Sequence, residues 1–201
     1  MIHHIDNYPS DRRQDLLASM FADRKALFVD FFGWDVPVVD GLYEIDQFDT
    51  AGALYIIIAD ETGGHAASLR LLPTTAPHML GTIFSQLCPL GAPVGDDVWE
   101  STRLCLPRRH GAARRRALRN ELISAMVDVA LERGIARYIG VLPEGFRKEV
   151  LAMGWRAEPL GPAVRTAGGT VGAFLVHIDP ETPKRLCWTQ TYIHADREIA
   201  A

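Results

Sequence analysis

No stretch of the 201 residues suits a membrane span: the longest clearly apolar run, Ala53 to Ala59, falls far short of the roughly 20 residues a spanning helix needs. The start, Met1-Ile2-His3-His4-Ile5-Asp6, lacks the basic-then-apolar order of an export leader, so a cytoplasmic protein is expected. Three cysteines, Cys88, Cys105 and Cys187, form no Cys-x-x-Cys pair, which argues against a disulfide framework or a zinc site. The seven histidines are scattered through the chain, from His3 and His4 through His65, His78, His110 and His177 to His194, without ligand spacing, so no metal is expected. A net charge of -4 removes general nucleic-acid binding from consideration. There is no internal repeat and no low-complexity segment.

What remains is an ordinary composition, 48% hydrophobic and 23% charged, over a length that fits one domain, 1–201. Apolar residues at Leu16, Leu17, Met20, Phe21, Leu27, Phe28 and Phe31 predict an amphipathic helix from Ser10 to Phe32, started near Pro9-Ser10-Asp11 and ended by Gly33. Ala53 to Asp60 and His65 to Leu72 read as a hairpin around Thr62-Gly63-Gly64. Pro77 to Leu87 is expected as a short helix and Val98 to Leu106 as a central strand. A long helix, Ala112 to Arg133, follows and is stopped by Gly134. Strand Ala136 to Leu142, helix Glu144 to Met153, strand Val171 to Ile178 and a weak helix Pro183 to Gln190 complete the chain. Early hairpins followed by strand-helix alternation imply an α/β, three-layer arrangement, a mixed, mostly antiparallel sheet with helices on both faces.

Several charges fall where solvent does not explain them. Arg24 lies on the apolar stripe of the first helix and wants an anion, and the i, i+3 spacing of Asp46 and Asp49 puts two carboxylates on one side of a turn. On residue type alone this set is either a salt-bridge knot that pins the helix or a binding site for a cation. Phe28 and Trp34 are likewise either core or an aromatic wall. Arg70 interrupts an apolar strand and also needs an anion. Strict alternation would send Glu100 and Arg103 to opposite faces, so a bulge between them is expected if both serve one cleft. Arg108, Arg109, Arg114, Arg115, Arg116 and Arg119 form the one strong electrostatic cluster, read either as a solvated helix face or as a site for an acidic partner.

Arg24-(x3)-Phe28-(x5)-Trp34, Glu44-Ile45-Asp46-Gln47-Phe48-Asp49, Arg70-Leu71-Leu72-Pro73-Thr74-Thr75 and Trp99-Glu100-Ser101-Thr102-Arg103 occur in this order. In that combination the chain resembles the acyl-homoserine-lactone synthases of bacterial quorum sensing, over roughly residues 20 to 155. The resemblance implies the N-acetyltransferase-like fold with a bulged, splayed central strand. It implies an acyltransferase that N-acylates S-adenosylmethionine with an acyl thioester, from acyl-coenzyme A or acyl carrier protein, and then closes the lactone with release of 5′-methylthioadenosine. No separate cofactor is implied. Arg24, Phe28, Trp34, Asp46 and Asp49 would bind S-adenosylmethionine, with Glu100 as general base and Arg70 and Arg103 completing the active site.

Arg108-Arg109-His110-Gly111-Ala112-Ala113 also fits the loop with which N-acetyltransferases offer backbone amides to a pyrophosphate. Arg108, Gly111, Ala113, Arg114 and Arg115 are therefore candidates for holding the acyl donor, by phosphate binding or by complementarity to an acidic carrier protein. Met79, Phe84, Leu122, Met126, Val141, Leu142, Phe146 and Met153 are candidate walls of an acyl pocket. The resemblance implies a threonine near Val141 in members that favour 3-oxo chains; Gly140-Val141-Leu142 has no hydroxyl, so an unsubstituted, branched or aromatic acyl group is expected. Two other readings fit parts of the pattern. A coenzyme A dependent N-acetyltransferase accounts for the donor loop but not for Trp34, Asp46 and Asp49, and a catalytically silent binding module would bind the same ligands without turnover.

Overall fold

A computed structural model of the chain describes residues 1–6, 8, 13–166 and 168–193. In chain order the elements are β1 (Ile2–Ile5), α1 (Gln14–Arg24), β2 (Val38–Val39), β3 (Tyr43–Glu44), β4 (Leu54–Ala59), β5 (His65–Pro73) and β6 (Val98–Cys105). There follow α2 (Ala112–Arg133), β7 (Arg137–Pro143), α3 (Glu144–Leu151), β8 (Arg156–Pro159), β9 (Val164–Thr166), β10 (Gly169–His177) and α4 (Thr182–Trp188). The main sheet runs β1-β4-β5-β6-β7-β10-β8, with β9 paired to β10, while β2 and β3 form a separate two-stranded ribbon. Among the described residues only the β6–β7 pairing is parallel. A parallel neighbour requires a crossover, and α2 supplies it, stopped at Gly134 by a left-handed φ of 71° that a side chain would strain.

The sheet buries both faces. Leu54, Ile56, Leu69 and Leu71 pack with Leu118, Leu122, Met126 and Val129 of α2, and with Val150 of α3. On the other face Tyr55, Ile57 and Leu72 meet Leu17, Met20 and Phe21 of α1. Farther along that face, Val98, Ile139 and Leu175 are covered by Leu80 and Leu87 from the segment between β5 and β6. Helices thus cover both faces, and the mixed, mostly antiparallel sheet expected from the sequence is present. Among the described residues no helix is long and apolar enough to cross a membrane.

Two features of the central strand shape the site. Against β5, Ser68 pairs with Cys105 but Arg70 pairs with Thr102, so β6 carries one extra residue. Arg103 absorbs it with a positive φ of 52°, the bulge foreseen from the conflict between Glu100 and Arg103. Against β7, pairing covers only Val98, Trp99 and Glu100, and the two strands then part.

Some expectations need correction. The first helix does not stay α-helical to Phe32: α1 ends at Arg24 and a π-helical stretch continues over Lys25–Phe31. Its expected start at Pro9-Ser10-Asp11 lies outside the described residues, as does His194. Pro77 to Leu87 is not a helix but a series of turns with one 3-10 turn at Ser85–Leu87, since Gly81 and the β-branched Thr82 and Ile83 in its middle are weak helix formers. The strands β1, β2, β3, β8 and β9 were not foreseen.

Candidate active site

The π-helical stretch begins directly after Arg24, where one extra residue per turn re-aims the side chains that follow. Beyond it the β2–β3 ribbon carries Glu44 inward, and a tight turn follows at 46–49. That turn is self-closed: Asp46 Oδ1 accepts the Phe48 N–H at 2.9 Å and Asp49 Oδ2 accepts the Asp46 N–H at 2.8 Å. Both aspartates therefore point to one side, as their spacing required.

Three guanidiniums meet three carboxylates there. Arg24, 1% exposed, donates to Glu44 at 2.5 Å and to both oxygens of Asp49 at 2.9 Å. Arg70, fully buried on β5, donates to Asp46 at 2.7 and 3.1 Å, reaches Asp49 at 2.7 Å, and is steadied by Thr102 at 3.1 Å. Arg103, turned inward by the bulge, donates to Asp46 at 2.6 Å and to Glu44 at 3.1 Å. The formal charges cancel, which is the condition under which so many buried ions are tolerated. Burial alone would raise the Asp49 carboxyl, but Arg24 and Arg70 hold it well below the ordinary carboxylate range. Burial and the Asp49 charge push the Tyr55 hydroxyl, which donates to Asp49 at 2.7 Å, well above its usual value.

Glu44 was not among the residues singled out from the sequence, although it opens the acidic motif. It is fully buried and joins Arg24 to Arg103, so the knot is incomplete without it. The usable signal was a glutamate between Tyr43 and Ile45, which alternation in an extended segment would turn the other way from both.

Glu100 sits beside the knot and outside it. Its carboxylate is fully buried and accepts the backbone N–H groups of Met79 and Leu80, each at 2.7 Å. These bonds anchor the turn at 79–80 to β6. Burial raises the Glu100 carboxyl above its ordinary value, against the pull of those two N–H groups, His78 and Arg70. Met79 connects the two halves, its sulfur lying 3.5 Å from Arg103 Nη1 and 3.8 Å from Arg70 Nη2.

Over the knot lies an aromatic shelf. Phe28 and Trp34 stack with ring centroids 4.9 Å apart and planes 7° from parallel, and the Arg103 guanidinium lies 5.7 Å from the Phe28 centroid. Phe32 stacks on Trp34 at 5.6 Å. Phe28 is buried and Trp34 only half so, which leaves the indole at the rim.

The donor-side residues gather at the start of α2. Gly111 takes the capping position without a side-chain cap, and Gly111, Ala113 and Arg114 are exposed. Arg108 stands over the exposed Phe31 ring at 3.7 Å, bordering a cavity of about 380 Å³ between the π-helical stretch and the loop before α2. Arg109 is committed elsewhere, donating to Asp23 at 2.6 and 2.9 Å and to the His65 carbonyl. Arg114 pairs with Glu121 at 3.2 Å and Arg115 is half-buried. The candidate acyl-wall residues do not come together as one set. Phe84 and Val141 pack with Val98 and Ile139, and Met79 with the α1 core on the same face. Leu122, Met126, Leu142, Phe146 and Met153 belong to the core under α2 on the opposite face. A pocket reaching all of them would have to pass between the parting strands β6 and β7. Among the described residues no group of three or more His, Cys, Asp or Glu is arranged to hold a metal ion.

The family model described as autoinducer synthase matches residues 9–186. The chain is similar to an acyl-homoserine-lactone synthase of Ralstonia nicotianae, 34% identical over 166 residues, 79% of this chain and 80% of that relative. Among solved structures it is similar to TofI in a ternary complex with an inhibitor and MTA, with a TM-score of 0.78 and 27% identity over 93% of this chain and 96% of that one. A putative N-acetyltransferase from Lactobacillus plantarum, 19% identical over 89% of this chain and 99% of that one, shares the fold with a TM-score of 0.59.

Proposed function

The chain belongs to the autoinducer synthases, and from that premise we propose how its own residues divide the work of making an acyl-homoserine lactone from S-adenosylmethionine and an acyl thioester. The observation that carries the assignment is the charge-balanced knot of Arg24, Arg70, Arg103, Glu44, Asp46 and Asp49 beside a sealed glutamate. Arg24, Arg70, Glu44 and Asp49 are sealed and order the rest. Asp46, bound by Arg70 and Arg103 at the edge, faces the ammonium of S-adenosylmethionine. Arg103 Nη1, which meets only the weak acceptor sulfur of Met79 among its described contacts, keeps donor capacity for the methionine carboxylate. The Phe28–Trp34 stack offers a face to the sulfonium or the adenine.

N-acylation needs a neutral amine, a thioester carbonyl within reach, and stabilisation of the oxyanion. Glu100 takes the amine proton, directly or through a water, and burial raises its affinity for protons, as suits a general base. Backbone amides at the bulge around Arg103 serve the oxyanion. Lactonisation follows when the carboxylate attacks its own γ-carbon and expels 5′-methylthioadenosine, and the sulfonium makes that departure easy once the chain is folded back on itself. The start of α2, with Arg108, Gly111, Ala113, Arg114 and Arg115, holds the donor arm, and the acyl group enters where β6 and β7 part.

The deciding experiment is mass spectrometry of products after incubating the purified protein with S-adenosylmethionine and a panel of acyl-coenzyme A and acyl-carrier-protein donors. Methylthioadenosine with an acyl-homoserine lactone is the expected outcome and identifies chain and carrier together. Thioester consumption without methylthioadenosine would replace this reading by simple N-acylation, and binding without turnover by a sensor.

A further inference from the structure

Amide formation from an ammonium breaks two N–H bonds and the thioester C–S bond and makes one C–N bond. One of the two protons ends on the departing thiolate; the other has to leave the site. Glu100 is fully buried, so a proton it accepts has no direct path to water.

His78 stands next to the two residues whose backbone N–H groups grip Glu100, Met79 and Leu80. Its side chain is 5% exposed. Nδ1 lies 2.9 Å from the Ala76 carbonyl, an oxygen that can only accept, so Nδ1 carries the proton and Nε2 is the bare acceptor. That Nε2 is buried and has no hydrogen-bond partner. The ring is also seated: a Cβ at Gly81 would lie 2.6 Å from His78 Cε1 and 2.7 Å from Nε2, so only glycine leaves room for it. The segment around it is tied by Thr82, whose hydroxyl donates to the His78 carbonyl at 2.6 Å. A basic nitrogen held in one tautomer, buried and unpaired, is costly unless something is delivered to it. The charged groups that act on Glu100 beside His78 include Arg70 of β5, and the Cys88 thiol lies near enough to feel the carboxylate.

We propose that His78 is the relay partner of Glu100, its Nε2 taking from the Glu100 carboxyl, across one water, the proton that amide formation releases. Glu100 returns to the carboxylate, and the imidazolium passes the proton to solvent when the turn of 76–82 loosens. The assignment rests on Glu100 as the general base. It makes His78 a residue that acts through Glu100 and not on the substrate.

The test is a double-mutant cycle on kcat with His78→Gln and Glu100→Gln, each checked for folding by circular dichroism and for S-adenosylmethionine affinity by calorimetry. His78→Gln is expected to lower kcat about tenfold in the presence of Glu100, with KM for both substrates nearly unchanged, and to cost less than about twofold in the Glu100→Gln background. Equal losses in both backgrounds would overturn the relay and leave residue 78 a packing element, with Glu100 untouched as base. A Glu100→Gln enzyme of undiminished kcat would overturn the base itself, and the relay with it. Should His78→Gln fail to fold, ¹⁵N NMR of the imidazole in the unaltered protein decides: Nδ1–H with a bare Nε2 is required, and the opposite tautomer sinks the proposal.

Discussion

Glu44 accepts from Arg103 at 3.1 Å and sits fully buried beneath it, so a residue on a two-residue edge ribbon sets the direction of a side chain on the bulge of the central strand. Removing this carboxylate leaves Arg24 and Arg103 with one anion fewer in a dry setting. Glu44→Ala should cost about 3–5 kcal/mol, the range for breaking a buried pair. Thermal unfolding should show a drop in Tm on the order of 10 °C. A variant as stable as the parent would mean that the knot re-pairs without it.

Arg24 and Asp46, grouped together by the sequence pattern, should separate on mutation. Arg24 is sealed, 1% exposed, and holds two acids, so Arg24→Ala should damage stability before it damages binding. Asp46 stands nearer the open side between Arg70 and Arg103, and Asp46→Asn should fold and bind S-adenosylmethionine at least tenfold more weakly, the factor of about 1.4 kcal/mol expected for one charge-assisted hydrogen bond. Calorimetry on a folded Asp46→Asn protein with parental affinity would remove Asp46 from the binding role.

Glu100 must be ionised to accept a proton, and burial raises its carboxyl. Activity should therefore fall on acidification, with a midpoint above the ordinary glutamate value of about 4.3. The pH dependence of kcat measures it. Glu100→Gln should keep S-adenosylmethionine affinity and slow turnover by about 10²- to 10⁴-fold.

Asp49 gives the opposite sign for stability. Its carboxyl is held down in the folded chain, so its contribution is fully present above the unfolded value of about 3.9 and is lost as pH falls toward the lower folded value. Acid unfolding followed by circular dichroism should begin in that window in the parent and be blunted in Asp49→Asn, which should be less stable at neutral pH.

Arg114 is exposed and tied only to Glu121 among its described contacts, and Arg115 lies beside it on the first turn of α2. Reversing both to Glu should raise KM for carrier-protein donors more than for coenzyme A donors, since the protein surface spreads its acids over that turn. Equal effects on both donors would point to the shared pantetheine arm.

The long elements were legible because periodicity and stop signals agreed: Ala112 to Arg133 followed by Gly134 is the helix observed, residue for residue. The bulge was legible through a contradiction, since Glu100 and Arg103 could not both serve one cleft on a regular strand. Other elements were misread. Pro77 to Leu87 carries helical spacing, yet Gly81, Thr82 and Ile83 in its middle are weak helix formers, and the Met79 carbonyl accepts the Thr82 and Phe84 N–H groups in turns. The ribbon of Val38–Val39 and Tyr43–Glu44 is too short to alternate visibly, so Glu44 went unassigned. The acyl walls were named by apolarity alone, which does not say on which face of the sheet a residue falls.

The parting of β6 from β7 after Glu100 has a consequence for how such a chain can change over time. Along the gap the unpaired strand edges leave peptide amides and carbonyls, which substitutions other than to proline do not delete. On the proposed binding mode, recognition of a donor's amide-bearing arm in that gap is insulated from drift, while the side chains on either flank are open to exchange. A lineage can alter the tail it transfers, and with it the signal its neighbours read, without having to reinvent the grip on the carrier.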